Sequence, residues 1–434
     1  MTLSNIKSFW MQSYELHSNI WRYAMNKQYY GNNSVVFLLI SGDVIMIESF
    51  LGYSFMGDEA KKWRAATFML EHRFYGKSIP KGHLKMDALK YLSSEQALAD
   101  IANFITQMNI KHGFQNPKWI VFGWNYAGSL AAWMRYRYPH LVYAAVSSSA
   151  PLVAKADFSV IIRSYSAHVC AQKYKGRNHL LIFPSYLYSP CEPLEDNKND
   201  IALFFRAITY TFAFIVEYRG DIWFKDISME GACQIMTDET IHKCPVSSPV
   251  FLERFCQIPG TRTRFRVVDF PIPFLRTYNV FTLVCISTAA RQVAFQSCTE
   301  FGWWHHTSSK RDDTFGDRLT LDFFATMCKD AFDSRFNSSF LESAARDTNT
   351  IYGGLSLDVS RVLFVHGSMD PWSSIGITRE PPRGSIAIYI KGTRVHSSKC
   401  ADSRDTLERG IVVLFTHDGL KNNSKRKSIS PKIH

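Results

Sequence analysis

No apolar run in this chain is long enough to cross a bilayer. The longest, ALFFRAITYTFAFIV (Ala202 to Val216), is short and carries Arg206, so a buried helix is expected there in preference to a spanning one. The opening segment, MTLSNIKSFWMQSYELHS, has no continuous apolar stretch to serve as a signal peptide. None of the 9 cysteines forms a CxxC pair, which removes the common zinc spacings, and neither a metal nor a cofactor is expected. There is no internal repeat and no nucleic-acid-binding motif. The excess of 50 Lys and Arg over 38 Asp and Glu, a net +12, is therefore read as that of a basic soluble protein without a nucleic-acid partner.

What is present is a globular chain of 434 residues, long enough for one large α/β domain with an insertion or for two domains. SVVFLLISGD (Ser34 to Asp43) reads as a buried strand ending in a turn, and AATFMLEHRFYGKSIP (Ala65 to Pro80) as a second strand with a Gly/Pro loop. SSEQALADIANFITQMNI has helical spacing behind a Ser93 or Ser94 cap. WIVF, LVYAAVSSSAP, RVLFVHGSMDPW and SIAIYIKGTRVH continue the alternation, which implies a mostly parallel sheet. The expected boundaries are a first α/β part over 1–155, an inserted helical cap over 156–345, a second α/β part over 346–420 and a disordered basic tail over 421–434.

Cys170, Cys191, Cys233, Cys244, Cys256, Cys285, Cys298 and Cys328 fall inside that insertion, with Cys400 outside it. An even number clustered in one region is the pattern of a disulfide-braced module from an oxidising compartment, and eight cysteines leave 105 pairings open. Sequons at Asn32, Asn337 and Asn422 agree with secretion. The cysteines and the missing leader disagree, and a chain incomplete at its N-terminus would reconcile them.

The chemistry centres on KWIVFGWNYAGSLAAWMRYRYP (Lys118 to Pro139). An apolar run, a glycine turn and a small-residue helix are how a nucleophile is raised on a strand-to-helix elbow. The tip is Asn125, whose amide nitrogen is delocalised into its carbonyl and does not attack as an alkoxide does. An acid and a histidine are expected downstream, in that order, and Asp370 and His396 each follow an apolar strand. Singly, each is better read as a turn or loop residue; their joint placement selects them. Asp43 and Asp58 remain as acids if this alignment fails. Ser129, Ser147, Ser148 and Ser149 are poorly placed to substitute for the nucleophile.

The motifs EHRFYGKSIP, YLSSEQALADIANFI, GWNYAGSLAAWMRYRYPHLVYAAVSSSAP, FQSCTEFG, FVHGSMDPW and KGTRVHSSKCAD, spread from Trp21 to Asp402, resemble the prolylcarboxypeptidase-type serine peptidases. FQSCTEFG and KCAD are most similar to the thymus-specific branch. The resemblance implies an α/β-hydrolase with a helical, disulfide-containing cap inserted between elbow and acid. It implies removal of residues from peptide ends with proline at or beside the scissile bond, and a secreted or lysosomal location. It assigns Asn125 to the nucleophile position, Asp370 to the acid and His396 to the base, with Trp124, Tyr126 and Gly42 at the elbow and oxyanion region.

Departures accompany the resemblance. Gly123-Trp124-Asn125-Tyr126-Ala127-Gly128 differs from the family's Gly-Gly-Ser-Tyr-x-Gly at two positions, LLISGDVIM replaces a glycine-rich turn, and His366 stands where an asparagine is usual. Three readings stay open at this point: a family protein with impaired or absent peptidase chemistry, a peptide- or protein-binding relative, and an active serine peptidase whose asparagine codon is an error. The expected partner is a peptide substrate or ligand, and a homodimer is left open.

Overall fold

A computed structural model describes residues 10–16, 19–31, 34–159, 289–307 and 319–391, together with Ala202, Arg206, Thr209 and Ala213, with side chains from residue 22 onward. Eight strands form one sheet: β1 (Trp10–Leu16), β2 (Asn19–Asn26), β3 (Val35–Ile40), β4 (Ala66–Leu70), β5 (Lys118–Trp124), β6 (Val142–Ser148), β7 (Val362–Gly367) and β8 (Ile386–Ile390). Their order is β1-β2-β4-β3-β5-β6-β7-β8. β2 runs antiparallel to both β1 and β4, and every pairing from β4 onward is parallel. The β1–β2 hairpin, in a segment whose weak patterning gave no strand reading, supplies the antiparallel edge.

The central strands are apolar without interruption because both faces of the sheet are covered. Val36, Leu38 and Ile40 of β3 meet one core and Val35, Phe37 and Leu39 the other, as a period of two requires. The first core is closed by α4 (Ser94–His112) and α5 (Tyr126–Arg137), the second by α1 (Phe50–Tyr53) and α2 (Phe55–Trp63), with the short α3 (Met86–Leu89) preceding α4. α4 starts where the Ser93 hydroxyl accepts the Gln96 N–H and stops at Gly113 with φ +62°. Its residues Leu98, Ile101, Ile105 and Met108 repeat on one face. α5 is buried from Tyr126 to Arg135 on all sides, because the insertion covers what the sheet leaves open.

The described residues between β6 and β7 include α6 (Ala290–Gln296), a π-helical turn over Ser297–Phe301, α7 (Leu321–Ala331) and α8 (Ser338–Tyr352). Residue 345, the expected boundary, falls inside α8. Ala202, Arg206, Thr209 and Ala213 are helical, in agreement with the buried-helix reading of that stretch. A disulfide joins Cys298 to Cys328, while Cys170, Cys191, Cys233, Cys244, Cys256, Cys285 and Cys400 lie outside the described residues.

The insertion grips the α/β part at two places. Trp133 of α5 lies flat on Tyr352 of α8, with centroids 4.0 Å apart and planes within 9°. Gly302, at φ +69°, bridges to Lys155, whose carbonyl would lie 2.3 Å from a Cβ at that glycine, so only glycine lets the backbones meet. No helix among the described residues is long and apolar enough to cross a membrane.

Candidate active site

β5 ends in the elbow. Asn125 has φ +53° and ψ −132°, its N–H donates to the Ser148 carbonyl at 2.9 Å, and its own carbonyl accepts from Gly128 at 2.9 Å. Gly123 is required beneath it, since a Cβ there would stand 2.0 Å from the Ala127 carbonyl oxygen. Gly128 is equally confined, with the Ala150 Cβ and the Ser148 carbonyl each 2.9 Å from a Cβ built on it. The turn therefore brings strand and helix into backbone contact, and asparagine is among the side chains that tolerate positive φ. The Asn125 side chain makes no capping hydrogen bond to α5.

Two residues flank this tip at the carboxyl ends of β3, next to β5, and of β7, two strands away. On one side Gly42, at φ +65° after β3, presses on α5, where an added Cβ would be 2.8 Å from the Ala127 Cβ. On the other side Asp370 follows β7 and is 2 % exposed. Trp124, Ser148 and Val365 lie in register across β5, β6 and β7, which puts the elbow and the Asp370 loop about 10 Å apart, two strand spacings. The structure thus brings Asn125, Gly42, Tyr126 and Asp370 to one end of the sheet. His396, six residues beyond β8, lies outside the described residues, as do Asn32 and Asn422.

Two of the serines near the elbow, Ser129 and Ser147, are otherwise engaged. The Ser129 hydroxyl donates to the Pro151 carbonyl at 2.7 Å, and that of Ser147 to the Gly128 carbonyl at 2.9 Å. Trp124 packs edge-on against Phe50 of α1, with centroids 5.4 Å apart.

Asp370 is held from its own loop and from β7. Its Oδ1 accepts the Trp372 N–H at 3.0 Å, and its Oδ2 lies 3.2 Å from Nδ1 of His366, on β7. Beside it stands an aromatic wall in which Trp372 meets Trp303 at 6.1 Å and Phe158 at 6.0 Å between centroids.

Tyr126, the first residue of α5, is held from three elements. Its hydroxyl donates to His72 Nε2 at 3.2 Å and accepts from Gln296 Nε2 at 3.0 Å. The His72 tautomer is fixed because Nδ1–H donates to the Arg73 carbonyl at 2.7 Å. Burial, helped by the Arg73 cation and opposed by that carbonyl, pushes the imidazole down to about 3, so His72 is a neutral acceptor. Tyr75 donates to Gln296 Oε1 at 2.5 Å. Burial also raises the Tyr126 phenol well above the ordinary tyrosine range.

Glu300, in the π-helical turn, accepts both the N–H and the hydroxyl of Ser94 at the start of α4, at 3.0 and 2.9 Å. Desolvation raises its carboxyl to about 7, against the lowering effect of the Ser94 hydrogen bonds. Arg73 forks onto Asp100 with two 2.6 Å bonds. Glu71 accepts the Ser78 hydroxyl at 2.8 Å and pairs with Arg22 at 3.4 Å. These residues sit in EHRFYGKSIP and FQSCTEFG, segments singled out by resemblance but read only as loop and insertion. Period-based reading assigns polar residues to solvent, and nothing in it signals a buried network.

Among the described residues no cluster of His, Cys, Asp and Glu could hold a metal ion.

A mostly parallel sheet with an antiparallel edge, a positive-φ elbow after a central strand and an acid at a later strand end define an α/β-hydrolase. Within that class the chain belongs to the serine carboxypeptidase S28 family, whose model matches residues 15–410. It is 30% identical over 419 residues to thymus-specific serine protease of Mus musculus, covering 88% of this chain and 78% of that protein. It is 27% identical over 378 residues to lysosomal Pro-X carboxypeptidase of Mus musculus, covering 80% and 73%. A solved lipase in its open form aligns over 94% of this chain and 98% of its own, with 12% identity and a TM-score of 0.40.

Proposed function

We propose that this S28 family member keeps a peptide-end-binding cleft and has lost the covalent step of its relatives. The observation that carries the reading is Asn125 on the elbow. A serine there would pass its proton to a histidine and attack a carbonyl; a carboxamide has no such electron pair to give. Loss of the nucleophile from a triad costs about a million-fold in turnover, with about a thousand-fold over water left to the rest of such a site. In this reading Asp370 and His396 are the former acid and base. The N–H of Tyr126, first of α5 and without an intrahelical acceptor, together with the Gly42 loop, offers donors to a carbonyl oxygen or a carboxylate.

The ligand class rests on the relatives, because the Trp303, Trp372 and Phe158 rings are packed into the protein, Phe158 fully buried and Trp372 buried. The names of the two mouse relatives, a serine protease and a Pro-X carboxypeptidase, support a peptide ligand with proline at or next to the recognised end. The Cys298–Cys328 bond and the exposed sequon at Asn337 support an oxidising, secretory or lysosomal setting.

The test is titration calorimetry of the chain with proline-containing peptides, with product analysis of the same samples. Saturable binding with intact peptide recovered is the expected result. Steady cleavage would return the protein to the active peptidases, and absence of both binding and cleavage would remove the cleft from its function.

A further inference from the structure

We propose that Asn337 is an acceptor for an N-linked oligosaccharide, its side chain capping a helix with one atom and offering the other to the sugar. The proposal rests on the secretory or lysosomal setting proposed above, where such sugars are added, and goes beyond it in assigning the modified atom.

Asn337, Ser338 and Ser339 form the Asn-x-Ser triplet that accepts such sugars. Triplets of this kind recur by chance, and it is the surroundings of this one that select it. Asn337 is the N-cap of α8, with extended backbone at φ −88° and ψ 176°. Its Oδ1 accepts the Phe340 N–H at 2.9 Å and so satisfies one of the donors that a helix start leaves open. A carboxamide has two polar ends. The other end, Nδ2, has no hydrogen-bond partner among the described residues, and Asn337 is exposed. Asn349, on the same helix, is the opposite case. Its Nδ2 donates to the Ala154 carbonyl at 2.7 Å and its Oδ1 accepts the Ala154 N–H at 2.8 Å, so both ends are occupied.

The rest of the triplet fits. Ser339 is exposed, and its hydroxyl has no partner among the described residues. Ser338, between the two, is turned to α7, its hydroxyl donating to Asp322 Oδ1 at 2.5 Å. Phe336 is buried and stacks on Phe340 with centroids 4.8 Å apart, which pins the backbone on both sides of Asn337. Tyr352, the residue stacked on Trp133, lies at the other end of α8, about 22 Å along the helix, so the sugar is attached far from that grip of insertion on α/β part.

In the transfer a bond forms between Nδ2 and the anomeric carbon of the sugar. The bond from that carbon to the pyrophosphate of a lipid-linked oligosaccharide donor breaks, the pyrophosphate keeps the electron pair, and one amide proton leaves to a base of the transferase. Oδ1 takes no part, so the modified side chain keeps its bond to Phe340.

The experiment expresses the full chain behind a secretory leader in cultured animal cells, beside Asn337→Asp and Ser339→Ala. Both variants keep an oxygen at 337 to cap α8, so both fold while losing the acceptor triplet. Secreted protein is treated with peptide N-glycosidase in heavy-oxygen water and mapped by mass spectrometry. A heavy-oxygen-labelled aspartate at 337 is expected in the unaltered chain, and each variant should be lighter than it, before that treatment, by one oligosaccharide. Translation with microsomes reads the same loss in protein that is not secreted. An unmodified Asn337 in the folded, secreted chain, or label at other sequons alone, would overturn the proposal. Protein isolated from its own cells, without the added leader, tests the setting separately. An unmodified 337 there, beside modification with the leader, would overturn the secretory setting and uphold the site.

Discussion

Asn125 joins a retained backbone turn to a side chain that, in the proposed reading, does not attack a carbonyl. At φ +53° and ψ −132° it occupies a conformation in which side chains with a Cβ are strained by about 1–3 kcal/mol. The surrounding contacts enforce it: Gly123 and Gly128 let α5 close on β5, and the Ser148 carbonyl takes the Asn125 N–H. Asn125→Gly should therefore raise stability by about 1 kcal/mol, and Asn125→Val, branched at Cβ, should lower it by about 2 kcal/mol, both measured by urea unfolding. Equal stability of the two variants would show that the tip is unstrained. The tip was legible in the sequence because its signal is local: apolar run, glycine, small residues. Its partners were legible only in part. Asp370 sits at a strand end as expected, but its pairing with His366 depends on a burial that no spacing reveals.

At the scale of elements, the loop after β4 and the π-helical turn tie the site together. EHRFYGKSIP reads as a turn, and turn it does, with Gly76 at φ +57° where a Cβ would stand 2.0 Å from a Glu71 oxygen. The function of the turn is to bury charge beside the elbow. Arg73 and Asp100 form a two-bond pair joining that loop to α4, and Asp100→Ala should cost about 3 kcal/mol by leaving a guanidinium uncompensated, read from chemical denaturation. Glu300 makes a second tie, from the insertion to the start of α4. Its carboxyl ionises near 7 in the folded protein against an ordinary value of 4.5, so the folded state holds more protons than the unfolded chain between those values. That contribution is fully present below about 4.5 and is lost as pH rises through 7. Glu300→Gln should therefore flatten the fall in stability between pH 4.5 and 7, followed by melting temperature across that range, and an unchanged slope would contradict the assignment. Strands and helices here were legible from periodicity, whereas the β1–β2 hairpin was not, because Trp10–Leu16 and Asn19–Asn26 lack clean alternation.

At the scale of the molecule, the insertion is braced by a covalent bond where its helices meet the core. Cys298 and Cys328, 30 residues apart, should contribute about 3 kcal/mol by restricting the unfolded chain. Replacing both by alanine should lower stability by that amount while leaving the β-sheet signal in circular dichroism intact. Clustering of cysteines in the insertion made a bridge expected from sequence, but the choice of partners came only from the fold that brings α7 beside the π-helical turn.

All three scales meet in the proposed reading, in which the α/β-hydrolase frame is retained around an elbow that forms no covalent intermediate. The most direct measurement is intact-mass analysis of the folded protein after treatment with a fluorophosphonate. The account predicts no adduct at the elbow. A stoichiometric adduct on this chain, mapped to the segment from Lys118 to Pro139, would contradict it.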